Sequence, residues 1–194
     1  MKIIVINHLT LDGVMQAPGR ADEDTRGNFR SGGWATSRND AVMGQRMAEG
    51  MARGGALLLG RWTYESFFDF WPKQKNNPFT EALDNMPKYV TSTTLKGALP
   101  WKNSILLSGD VPREVARLKE KSEGTLAVMG SGKLVQSLMR HDLIDEYLLL
   151  VHPVVMGSGL RLFPDGGVPA NLRLVDAKPT TTGVIMATYQ VERS

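Results

Sequence analysis

A chain of 194 residues with 42% hydrophobic and 22% charged residues is long enough for one well-covered core, and its composition excludes disorder and collagen. The absence of cysteine removes disulfides and thiolate chemistry, His8, His141 and His152 lack ligand-like spacing so that no metal is expected, and no apolar run nears the roughly 18 residues of a membrane span. The net charge of +3 is spread evenly, with 12 Lys/Arg against 10 Asp/Glu in residues 1–97 and 11 against 10 in residues 98–194, which argues against a nucleic-acid partner.

The opening MKIIVINHL turns polar too early for a signal peptide, so a cytoplasmic protein is expected, and residues 2–9 read as a buried β-branched strand closed by Leu11-Asp12-Gly13. Residues 16–38 form a long Gly-, Asp- and Arg-rich loop, of the kind that serves as a rim or lid. Val42, Met43, Met47 and Met51 predict a helix over 39–53, ended by Gly54-Gly55. A strand over 56–59 leads through Gly60 into a second helix from Arg61, and short strands follow at 88–91 and 104–107.

A surface helix is expected over 111–121 with Pro112 in its first turn, then a strand over 126–129, a tight turn at 130–132 and a helix over 133–141. The run 144–156 is too continuous for a half-exposed strand and carries Pro153, so a central, fully covered strand is expected there. Runs at 172–177 and 184–191, split by a turn-rich segment, predict an antiparallel hairpin at the sheet edge. Strands alternating with helices before a closing hairpin give a mixed α/β sheet with helices on both faces.

Two strand-to-helix turns, Gly60-Arg61-Trp62-Thr63 and Gly130-Ser131-Gly132-Lys133, carry glycine, hydroxyl and cationic residues at a helix start. Free N–H groups there bind phosphate, glycine lets the backbone approach closely, and in an open α/β sheet such turns lie where ligands bind. Two together suggest a diphosphate nucleotide. Neither fits a Walker A loop or the dinucleotide fingerprint, because Leu134 follows Lys133 and Val135 stands where a third glycine belongs. Each turn taken singly also reads as a glycine turn and nothing more.

In combination these parts resemble the dihydrofolate reductase superfamily, and within it the reductase domain of the bifunctional riboflavin-biosynthesis deaminase/reductase. The resemblance rests on Thr10-Leu11-Asp12-Gly13-Val14, on Leu57 to Glu65, on Lys88 to Thr93 and on Met129-Gly130-Ser131-Gly132. Leu143-Ile144-Asp145-Glu146, Pro153 to Gly159 and Leu162-Phe163 complete it, so that it covers nearly the whole chain.

It implies one α/β domain over 1–194, a dihydrofolate reductase-like three-layer α/β/α arrangement whose mostly parallel eight-stranded sheet ends in an antiparallel C-terminal strand. It also implies an NADPH-dependent reductase, often dimeric. Gly60, Arg61 and Thr63 then correspond to the first cofactor-phosphate site, with Arg61 placed to pair with the 2′-phosphate. Thr91, Ser92 and Thr93 correspond to the hydroxyl turn beside the adenosine phosphate, and Gly130, Ser131, Gly132 and Lys133 to the second pyrophosphate turn.

On the substrate side the resemblance implicates Asn7, Thr10, Asp12, Val14 and Trp34, with Met156 and Gly157 closing the opposite wall. Asp12 also reads as a turn residue that caps backbone N–H groups, and Trp34 also reads as a core residue. Asp40 is a candidate catalytic carboxylate and equally an ordinary residue of a helix first turn, and Glu49 is the other possible equivalent of a folate-reductase carboxylate. Arg20, Arg26, Arg30 and Arg38 read either as contacts to a substrate phosphate or as solvated rim charges, and His8 and His152 as satisfied buried histidines.

The expected activity is hydride transfer from NADPH to a pterin, a pyrimidine or a ribosyl derivative. The alternatives are a non-catalytic NADPH-binding or sensing module and a true dihydrofolate reductase, and a dimeric structural protein is the remaining reading. Without the deaminase signature H-x-E…P-C-x-x-C the zinc chemistry of the bifunctional enzyme is excluded.

Overall fold

The computed structural model describes residues 1–121 and 123–193. The β-branched opening forms β1 (Lys2–Thr10), whose alternating burial sends Ile3, Val5 and Leu9 to one face of the sheet. The remaining strands are β2 (Ala56–Gly60), β3 (Lys88–Thr91), β4 (Ser104–Leu107), β5 (Thr125–Met129), β6 (Glu146–His152), β7 (Asn171–Pro179) and β8 (Ile185–Glu192). They form one eight-stranded sheet in the order β4-β3-β2-β5-β1-β6-β8-β7. All pairings from β4 to β6 are parallel, while β8 runs antiparallel to both β6 and β7.

Among the described residues five α-helices cover the sheet: α1 (Ala41–Ala52), α2 (Arg61–Phe70), α3 (Pro78–Asn85), α4 (Val111–Lys121) and α5 (Gly132–Met139). On one face Ile3, Val5, Leu58 and Val128 pack with Val115 of α4 and with Leu134, Val135 and Leu138 of α5. On the other, Leu57, Leu59 and Val90 pack with Tyr64 of α2 and Leu83 of α3, and Leu148, Leu150 and Met186 pack with Met43 of α1. The two-residue period of the strands decides this division. It puts α1, α2 and α3 on the same face of the sheet.

Three expectations need correction. The apolar run 144–156 is strand only over Glu146–His152, because Pro153 has no N–H to give to the ladder and the chain turns there, Val154 N–H bonding back to His152 O at 2.8 Å. The segment before β3 holds α3, announced by Asn77, whose side chain accepts from Phe79 N–H, and by Pro78 in the first turn. The helix expected from residue 39 begins at Ala41, with Asp40 as its cap.

Lys88 is fully buried, and its ammonium donates to the carbonyls of Leu83 and Met86 at 2.7 and 2.8 Å, closing the open end of α3. Its Nζ also sits 4.6 Å from the centre of the Trp101 ring. No helix among the described residues is long and apolar enough to cross a membrane.

Candidate functional site

A cavity of about 1810 Å³ lies along the carboxyl ends of β1, β2, β3 and β5, between α1 and α2 and under the loop 16–38. Ligand pockets commonly measure roughly 300–1,000 Å³, so this one has room for two molecules side by side. Its position follows from the topology, since parallel strands deliver their following loops and helix starts to one edge.

Gly60 ends β2 and caps α2, and Ser131 caps α5 in the left-handed region at φ 59°. Because β2 and β5 are adjacent, the two bends meet. The Gly60 N–H donates to Ser131 Oγ at 2.8 Å, and the Ser131 hydroxyl donates to Thr63 Oγ1 at 2.9 Å. The packing here is close: a Cβ on Gly130, whose φ is +61°, would fall 3.2 Å from the Thr63 side chain. One on Gly132 would fall 2.7 Å from Met15 Sδ. Helix N-termini of ten and eight residues thus open side by side onto one cavity, with Lys133 in the first turn of α5.

All ten expected cofactor residues line this cavity. Arg61 is held by Glu65 at 2.9 Å and donates to Thr94 Oγ1 at 2.7 Å, which aims its half-exposed guanidinium toward the end of β3. Thr91 donates to Leu59 O at 3.3 Å, and Ser92 Oγ accepts from Leu95 N–H at 2.9 Å. Those two hydroxyls hold the turn, and Thr93 is exposed beside them. The arrangement fits a dinucleotide by its own chemistry: two amide-rich helix starts, a guanidinium and an ammonium, with no carboxylate among those ten residues.

The expected catalytic and substrate residues divide differently. Asn7 is buried in the cavity wall. Asp40 also lines the cavity, but its oxygens accept from Met43 N–H at 2.9 Å, from Thr181 N–H at 2.7 Å and from Thr181 Oγ1–H at 2.6 Å. Those bonds, the Thr181 hydroxyl first, hold its carboxyl below the usual carboxylate range.

Thr10, Asp12, Val14, Trp34, Met156 and Gly157 are not in the cavity wall. Asp12 accepts from the Thr10 hydroxyl at 2.6 Å and from the N–H groups of Met156 and Gly157 at 3.1 and 2.8 Å, which lowers its pKa to about 2. Val14 and Trp34 are buried with Ala17, Phe29 and Ala35 in a small core against Met156, and Trp34 donates to Gln16 O at 2.8 Å. This set anchors the loop 16–38 and the segment 153–162 to each other. Gln16 is the hub, its amide bonding Arg26 O and Leu160 N–H at 2.9 Å each.

Several cavity residues had no motif to mark them. Met43 and Met47 of α1 and Phe67 and Phe70 of α2 form its apolar flanks. Arg20 reaches from the loop to Ser66 Oγ at 3.2 Å and lies over the Phe70 ring at 4.7 Å. Arg26 lies over Trp62 at 4.5 Å, with its Nε donating to Asp24 at 2.8 Å. The loop is thereby strapped onto α2, over the cavity. His8 is in the wall as well, hydrogen-bonded to His152.

The sheet order, the single antiparallel strand beside β6 and the edge cavity define a dihydrofolate reductase-like α/β protein. Residues 1–186 match the RibD C-terminal domain model, and the chain belongs to that family of reductase domains. Over 138 residues, 69% of this chain and 72% of the other, it is 28% identical to the uncharacterized protein YyaP of Bacillus subtilis (strain 168). A putative riboflavin biosynthesis protein from Shewanella sp. PV-4 shares the fold with a TM-score of 0.72 and 22% identity, all of both chains being covered. Dihydrofolate reductase from Enterococcus faecalis, in a complex with NADP(H) and RAB-propyl, shares it with a TM-score of 0.59 and 14% identity over 99% of this chain and 97% of that one.

Proposed function

We propose that the protein is an NADPH-dependent reductase of the riboflavin-biosynthesis reductase type, similar to a 5-amino-6-(5-phosphoribosylamino)uracil reductase, that reduces a small nitrogen heterocycle or its ribosyl derivative. The observation that carries this reading is the pair of helix N-termini, tied through Gly60, Ser131 and Thr63, that open onto one cavity. Gly60, Arg61, Thr63, Gly130, Ser131, Gly132 and Lys133 hold the phosphates, and Arg61 pairs with the 2′-phosphate. When bound, the cofactor supplies a hydride. The chain's own residues orient the two ligands: the apolar flanks of α1 and α2 confine the heterocycle, and the strapped loop lies over both.

Asp40 acts here as a cap and Asp12 as an anchor, and the proton is taken from solvent. A membrane-free, cytoplasmic setting and a homodimer complete the proposal. The exposed Leu174 and Val175 of the edge strand β7 support the dimer. Loss of reduced-nicotinamide absorbance in the presence of pterins and pyrimidines tests the activity, and a solution mass of twice 21.4 kDa tests the dimer.

A second reading, a module that binds NADPH without turnover, draws support from the fact that both expected catalytic carboxylates are fully engaged by backbone and hydroxyl donors. Tight NADPH binding with no oxidation across the panel selects it, and absence of binding sinks both.

A further inference from the structure

The face of β1 turned toward α1 carries Ile6, His8 and Thr10, opposite Leu148, Leu150 and His152 of β6 in the parallel register. On that face His8 Nδ1 lies 2.8 Å from His152 Nε2, with ring centres 5.1 Å apart. His152 is fully buried, and its other nitrogen, Nδ1, has no hydrogen-bond partner among the described residues. Trp34 closes against it in a T-shaped contact at 5.2 Å, and Arg38 is the charged group that acts on it. Burial first, and then the neighbouring ring or guanidinium, holds both imidazoles neutral.

Two neutral rings carry one N–H each, and one of those protons sits between them. If His8 supplied it from Nδ1, His152 would carry its own proton on Nδ1, a buried donor with no acceptor. If His152 supplies it from Nε2, its Nδ1 keeps only a bare lone pair, and unpaired buried donors are rarer in proteins than unpaired acceptors. His8 then accepts at Nδ1 and carries its proton on Nε2. That atom bonds no described residue and is not fully buried, and His8 lines the cavity beside Asn7.

We propose that His8 Nε2–H is a hydrogen-bond donor to the substrate, fixed in that tautomer by His152, and that it recognises a carbonyl oxygen or imine nitrogen of the heterocycle. The identity of the acceptor rests on the reductase reading above, whereas the tautomer does not. A neutral imidazole suits this task because it polarises an acceptor without placing a full charge in a water-poor wall, a pattern established for other neutral catalytic histidines. His8 is thus a catalytic residue and His152 a positioning residue.

The test uses the whole ¹⁵N-labelled protein and long-range ¹H–¹⁵N correlations of its three histidines, assigned with His141→Gln. Without any ligand at pH 7, His8 and His152 are both expected as neutral Nε2–H tautomers. A proton on His152 Nδ1, or a charged His8, overturns the proposal. In His152→Phe, His8 is expected to populate both tautomers; an unchanged His8 in that variant overturns the positioning role.

Lumazine, a pteridine dione, added to the NADP⁺-saturated protein is expected to move the His8 Nε2 resonance. His8→Phe is expected to raise the lumazine Kd at least about tenfold, the equivalent of one lost hydrogen bond, and to leave the NADPH Kd within about twofold. A resonance that lumazine leaves in place, or equal losses for both ligands, overturns the contact. Failure of the reductase reading shows separately, as absent NADPH binding in a protein whose histidine tautomers are as stated.

Discussion

Gly60 and Ser131 lie 71 positions apart in the chain, and the amide of the first donates to the hydroxyl of the second at 2.8 Å. The bond welds the start of α2 to the start of α5, so that the two glycine turns form one surface. Ser131 reaches it because its backbone is left-handed, and the same hydroxyl goes on to Thr63.

Ser131→Ala removes both bonds and leaves the Gly60 amide without its acceptor. We expect a loss of about 1–2 kcal/mol in urea unfolding. Gly130→Ala is expected to cost about 1 kcal/mol through its positive φ and to push Thr63 away. NADPH affinity, measured by titration of its fluorescence, should fall about tenfold in Gly130→Ala, because the displaced side chain belongs to the first turn of α2. Unchanged affinity in a folded variant would show that the weld does not shape the cofactor site.

Arg61 is oriented by Glu65 and Thr94 rather than buried, so its removal should cost little stability. Arg61→Ala is expected to raise the Kd of NADPH by about tenfold or more and that of NADH by less than about twofold, since only the phosphorylated cofactor loses a partner. Equal effects on the two cofactors would remove the 2′-phosphate from its assigned place.

The His8–His152 pair gives stability a pH dependence whose sign follows from the lowered pKa values. A histidine whose folded pKa is below 6.5 binds its proton more weakly in the native state. Stability is therefore full above about pH 6.5 and falls as the pH drops below it, by at most about 1.4 kcal/mol per pH unit for each ring. Urea midpoints of the wild type measured from pH 7.5 to 4.5 should fall along that slope, and His152→Gln should flatten it. A wild type whose midpoint does not change over the range would mean that the rings titrate normally.

These residues also show what was legible in the chain. The strand KIIVINHLT and the two glycine turns could be read because their signals are local: β-branched continuity in one case, glycine with a hydroxyl or cation at a helix start in the other. The helix α3 carried an equally local signal, Asn77 followed by Pro78, that the short segment obscured. The substrate side was less legible for a different reason. Asp12, itself bonded by the Thr10 hydroxyl, holds the backbone at Met156 and Gly157, and His8 meets His152, across 144 or more positions. No spacing rule connects such pairs. Only the β1–β6 register sets them side by side.

The loop 16–38 is the remaining element whose length signalled a rim or lid, and its attachments state what opening it requires. Its outer half is held to α2 by Arg26 over Trp62 and by Arg20 over Phe70 and against Ser66, while Gln16 anchors its base. A cation–π contact at a partly exposed site is worth about 0.5–1 kcal/mol, small enough to open during turnover and large enough to slow ligand escape. Arg26→Ala should therefore raise the NADPH dissociation rate, followed by stopped-flow fluorescence, up to about fivefold, and Trp62→Ala should do the same. The double variant should add little to Arg26→Ala, which removes the ring contact together with the ion pair to Asp24. Arg30→Ala, an exposed position of the same loop outside the cavity wall, should leave the rate unchanged. If Arg26→Ala and Arg30→Ala behave alike, the loop is a rim that the ligand passes freely, and closure of the cavity must come from elsewhere in the fold.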